Sequence, residues 1–140
     1  MLTPAGPRKR DRPGGDAGSA SVEIAILGPA LLLLVFAIVQ GGLWFYAHNL
    51  ALAAAEEGVT TGAAYGARPD AGVARTRNFL DQQAGDSLTA TTISSAGSTP
   101  AVVRIEVTGR SLSVLPGVPG IEVTATAVGP VERFTTDGAP

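Results

Sequence analysis

With 140 residues the chain has room for one small domain at most, and a net charge of −2 gives no global field that would draw a nucleic acid. The lack of cysteine excludes disulfides, thiolate metal sites, a cysteine nucleophile and a lipidated cysteine. The charge is unevenly spread: Arg8, Lys9, Arg10 and Arg12 cluster early, whereas from Ala47 onwards nine acidic residues face six arginines.

Residues 1–18 combine proline, glycine and charge, cannot bury apolar surface, and read as a disordered basic leader. From Ile24 to Tyr46 there follow 23 residues without a charge, Gln40 being the one strongly polar side chain. As a helix this run is roughly 34 Å long, against a hydrocarbon core of ~30 Å. Leu31 to Phe36 is apolar on every face, and Trp44, Phe45 and Tyr46 fall where an interfacial aromatic belt belongs. The remaining chain is too small to wrap such a helix, so a single membrane span is expected. Four basic residues precede it, and the next, Arg68, lies more than twenty residues beyond it. The positive-inside rule then puts the N-terminus in the cytoplasm and the C-terminal part outside the plasma membrane.

The alanine-rich run after Tyr46 extends the helix, so that residues 19–67 form one element. Two ridges of small residues follow helical i, i+4 spacing: Ala47, Ala51 and Ala55, and Ala54, Gly58, Gly62 and Gly66. The second holds a tandem G-x-x-x-G, which lets another helix approach closely. Arg68-Pro69-Asp70 interrupts the helix, with Asp70 placed to cap a short second helix to about Ala84 that aligns Val73, Leu80 and Ala84, with Phe79 alongside. Beyond Gly85 the period becomes two. Leu88–Ile93 is a weak strand, and Val103, Ile105 and Val107, then Ile121, Val123, Ala125 and Ala127, alternate with polar residues. The expected fold of residues 68–140 is a small exported α+β domain: a short helix against an antiparallel sheet of about three strands, with Asp137–Pro140 loose.

The junction between leader and span reads Gly18-Ser19-Ala20-Ser21-Val22-Glu23-Ile24. A carboxylate at the head of a membrane helix, five residues after a glycine and behind a basic leader, resembles the processing site of type IV pilins and pseudopilins. That resemblance implies cleavage by a prepilin peptidase between Gly18 and Ser19. The wider set of Val22-Glu23, Pro29, Gln40 and Ala54-Ala55-Glu56-Glu57-Gly58 resembles the TadE-like segment of tight-adherence (Flp) pilus assembly proteins, over about residues 18 to 67. Two positions depart from the family pattern. Ile24 stands where an aromatic often follows the glutamate in Flp-type pilins, and Gln40 where the late polar residue is often acidic. The resemblance implies a pilin-like fold and a partner set of membrane, prepilin peptidase and other pilin or TadE-like subunits, met through the N-terminal helix. It leaves open whether the protein is a pilus subunit, a tip initiator or a stationary assembly factor.

The chemistry of Glu23 suits assembly. A carboxylate at the bilayer centre costs about 2.5–3.5 kcal/mol on insertion scales, and less near an interface. Cleavage after Gly18 would create an α-amino group with a reference pKa of about 7.7–8.0, largely cationic at neutral pH. The resemblance implies that this amine meets the glutamate of a neighbouring subunit; otherwise Glu23 merely marks the interface of an ordinary anchor. Pro29 is either a functional bend or a tolerated one.

No catalytic constellation can be assembled, and neither an enzyme nor a cofactor or metal site is expected. His48 is the one histidine and reads as a wet surface residue beyond the aromatic belt. Glu56 and Glu57 point about 100° apart on a helix and share no site. Two alternatives to the pilin-like reading stand. One is a secreted domain cut at Ala51-Leu52-Ala53, although the apolar run is longer than the usual signal core. The other is an uncleaved single-pass anchor that presents a small cell-envelope binding domain.

Overall fold

The structure is a computed structural model that describes residues 16–133 together with Met1 and Gly6. Most of the basic leader and the tail expected to be loose lie outside the described residues. The order of elements is α1 (Asp16–Ala63), α2 (Pro69–Gln83), a single 3-10 turn (Gly85–Ser87), β1 (Leu88–Ser94), β2 (Val102–Ser111) and β3 (Glu122–Pro130). The fold class is α+β as expected: a long apolar N-terminal helix, a second short helix and a three-stranded antiparallel sheet in the order β1-β2-β3. Two compact units are distinguished, Met1–Phe36 and Ala37–Pro140, and the division falls inside α1.

In the first unit α1 is apolar on all sides from Ile24 onwards. Ile24, Ile26, Leu27 and every leucine from Leu31 to Leu34 are exposed. Such a surface is unfavourable in water and favourable in lipid, and α1 is long and apolar enough to cross a membrane. Pro29 lies inside the helix, removing one donor and freeing the Ala25 carbonyl, a loss that membrane helices tolerate where neighbours satisfy it.

In the second unit the remainder of α1 turns a stripe of small residues to the core. Ala47, Ala51, Ala54 and Ala55 are fully buried, followed by Val59 and Ala63. The sheet meets this stripe with the inward half of its alternation: Val103, Ile105 and Val107 of β2, and Val123, Ala125 and Ala127 of β3. Their register is Ile105 opposite Ala127 and Val107 opposite Ala125, so bulky residues of the central strand sit beside small ones of the edge strand. Polar partners occupy the other face, where Arg104 and Thr126 both reach the Glu106 carboxylate. β1 is the irregular edge, bulged between Thr89 and Thr92 with Ala90 at φ 50°.

Three details differ from the sequence reading. Asp70 does not cap α2; the N-cap is Arg68, Pro69 takes the first turn, and Asp70 sits beside it, where its charge complements the helix dipole. The buried stripe of α2 is Gly72, Thr76 and Leu80, continued by the C-cap residue Ala84, whereas Val73 and Phe79 are only partly covered. Hydrophobic periodicity missed Gly72 and Thr76 because neither is apolar in bulk; they are inside because the helices lie close. Ile121 stays outside β3, in the preceding loop, and is exposed.

Candidate functional site

The helix begins two residues before Gly18, so the Gly18–Ser19 bond lies in its first turn. Gly18 is exposed, and a Cβ added there would meet nothing within 4 Å. Glycine costs a helix about 1 kcal/mol relative to alanine, and here no packing requires it. Glu23 lies four positions after Ser19, hence on the same helical face, and is exposed with no ionic partner among the described residues.

Farther along α1, in the second unit, Gln40 and Trp44 hold the connection between β2 and β3. Gln40 Nε2 donates to the Leu112 carbonyl at 3.0 Å, while Gln40 Oε1 accepts from the Val114 N–H at 3.1 Å. One turn on, Trp44 Nε1 donates to the Glu122 carbonyl at 3.0 Å. The backbone polarity decides which way the Gln40 amide faces: one partner is a carbonyl and the other an N–H. A carboxylate could accept from Val114 but would oppose the Leu112 oxygen. Gln40→Glu is therefore expected to loosen the loop, at a cost of about 0.5–1.5 kcal/mol for the lost exposed hydrogen bond to Leu112. The check is amide hydrogen exchange at Val114, which should accelerate in Gln40→Glu and stay slow in the wild type.

His48 stacks on Trp44 with ring centroids 5.5 Å apart and planes 17° from parallel. It is half-buried rather than the wet surface residue expected, and its Nδ1 is buried without a hydrogen-bond partner among the described residues.

The ridge of Ala54, Gly58, Gly62 and Gly66 divides. Ala54 is in the core. A Cβ on Gly58 would overlap the Thr76 hydroxyl and lie 2.9 Å from the Gly72 carbonyl oxygen, and one on Gly62 would lie 3.3 Å from Val103 and 3.4 Å from Gly72 Cα. Gly58 and Gly62 thus receive α2 of the same chain. Gly66 lies beyond the helix at φ 73° with open space around it, serving the turn rather than the contact. Glu57 joins the two helices from the rim by accepting from Arg75 at 2.6 Å, an exposed pair worth about 0–1 kcal/mol. Glu56 is exposed and outside that pair.

Residues 18–60 match the family model of TadE-like proteins. No curated protein and no solved structure matches the chain. The matched segment runs from the residue before the junction bond to Thr60, so it contains Gly18, Ser19, Glu23, Gln40, Trp44, Ala54 and Gly58. The partners of its Gln40, Trp44 and Gly58, namely Leu112, Val114, Glu122, Gly72 and Thr76, all lie outside it. Sequence reading singled out Gln40 as the lone polar residue of the span but had no sign of its partner. The available hint was a ten-residue loop, 112–121, with two Pro-Gly pairs and no charge.

Proposed function

We propose that this protein is a membrane-anchored pseudopilin, minor pilin or assembly factor of a tight-adherence pilus, with no catalytic role. In this reading a prepilin peptidase cuts between Gly18 and Ser19, the α+β part lies outside the plasma membrane, and subunits associate through the N-terminal helix. The observation that carries it is the TadE-like match beginning at Gly18, a glycine the fold does not need. A peptidase that must bind the backbone closely supplies the missing reason for it. Release by a signal peptidase after Ala53 is disfavoured, because the cut would strip buried Ala47 and Ala51 from the core.

The test is the N-terminal sequence of the protein recovered from membranes. A start at Ser19 is expected, whereas an intact leader means a plain anchor. Gly18→Ala is expected to abolish processing while leaving the helix about 1 kcal/mol more stable, since alanine is the better helix former and has open space there. Normal maturation of Gly18→Ala would remove the peptidase from the proposal.

A further inference from the structure

The β2–β3 loop, residues 112–121, carries apolar side chains that the core does not use. Leu112, Leu115, Val118 and Ile121 are 43%, 43%, 50% and 49% exposed, and no residue of the loop is charged. Phe45 and Tyr46, at the same end of the unit as the Gln40 and Trp44 contacts, are exposed as well. The β1–β2 turn at the opposite end, near Ala63, is built instead of small polar residues and alanine around Gly97.

The depth of the loop indicates what covers it. Gln40 and Trp44 both lie near the end of the uncharged run that closes at Tyr46, where an interfacial aromatic belt belongs. A loop hydrogen-bonded to Gln40 and Trp44 therefore sits at the level of the bilayer edge when α1 is inserted. Its backbone suits such a place. Pro116 and Pro119 have no N–H, and four further N–H groups are bonded within the unit: Val114 to Gln40, Leu115 to Ser113 Oγ, Val118 to the Leu115 carbonyl and Ile121 to Ser111 Oγ. Each of these bonds lowers the cost of moving the loop out of bulk water into the lipid interface.

We propose that this loop is a second, non-spanning membrane contact, in which Leu115, Val118 and Ile121 enter the lipid interface beside the point where α1 leaves the bilayer. The contact holds the α+β part against the lipid surface. It rests on membrane insertion of α1 but not on cleavage or assembly.

The cysteine-free chain allows single labelling sites. Full-length Leu34→Cys, Val118→Cys and Ala96→Cys, each carrying an environment-sensitive fluorophore, would be reconstituted at low density in phosphatidylcholine–phosphatidylglycerol vesicles. Burial of an interfacial side chain by about 5–10 Å predicts that the Val118→Cys label loses most of its emission to lipids brominated in the upper acyl chain. That label should also resist aqueous iodide, while the Ala96→Cys label shows the reverse. Adding Leu115→Asp should restore iodide quenching at position 118. If the label at 118 behaves like the one at 96 while the one at 34 is quenched by lipid, the loop stands in water and the proposal fails with membrane anchoring intact. Shielding at 118 from both quenchers, lost on dilution with lipid, would assign the surface to a second copy and also overturn it. Three labels untouched by lipid would refute insertion of α1 itself.

Discussion

Gly72→Val is expected to separate α2 from α1 and to unfold the helical layer over the sheet. A Cβ at position 72 would press on the Gly58 carbonyl and lie 3.4 Å from Gly62 Cα, so both obstacles are backbone of a helix that cannot rotate away. Overpacking a core costs about 1–3 kcal/mol when side chains can adjust, and more when they cannot. Valine adds two methyl groups to the obstructing atom, so the loss should exceed ~3 kcal/mol, a large part of the ~5–15 kcal/mol of a small domain. Gly72→Ala is expected to fall lower in that range, offset by up to about 1 kcal/mol from helix propensity.

Gly58→Ala presents a different obstacle, chiefly the Thr76 hydroxyl, which itself donates to the Gly72 carbonyl at 3.0 Å. Combining it with Thr76→Ala should recover part of the loss, whereas the same change should not rescue Gly72→Val. Arg75 and Arg77 lie in α2, so tryptic cleavage of the detergent-solubilised chain at these sites reports the separation directly. Resistance of Gly72→Val equal to that of the wild type would mean that the helices are not held at the distance described.

Glu23→Ala is expected to leave the protein inserted in the membrane and to abolish its incorporation into assemblies. Insertion should survive because removing a carboxylate from an apolar segment favours the bilayer. Assembly should fail because, in the proposed pairing, the α-amino group of Ser19 from one subunit would face no anion on the next. Breaking a buried pair by deleting one partner costs about 3–5 kcal/mol, or more than a hundredfold in affinity at each contact. Since amine and carboxylate form one interaction, an uncleaved Gly18→Ala chain should show the same defect, and the double variant should be no worse than either single one. Co-purification of tagged and untagged copies from membranes provides the readout. Wild-type recovery of Glu23→Ala would leave an anchored α+β protein without the proposed assembly role.

Much of this architecture was legible in the sequence because it depends on local pattern. The uncharged run from Ile24 to Tyr46 dictates a helix long and apolar enough to cross a membrane. Alternation in 103–107 and 123–127 dictates strands with one apolar face, and Pro69 dictates where α1 and α2 part. The spacing of Gly18 and Glu23 is likewise a property of the chain and needs no folded neighbour. Partner choice was not legible. The Gly58–Gly62 ridge signals that a helix can come close, but not that α2 of the same chain does so at Gly72 and Thr76. Gln40 signals a polar need within an apolar run, but its two partners lie 72 and 74 residues away. Periodicity reports which face of an element avoids water; which atoms meet across that face depends on strand register and chain path, and these exist only once the tertiary structure has formed.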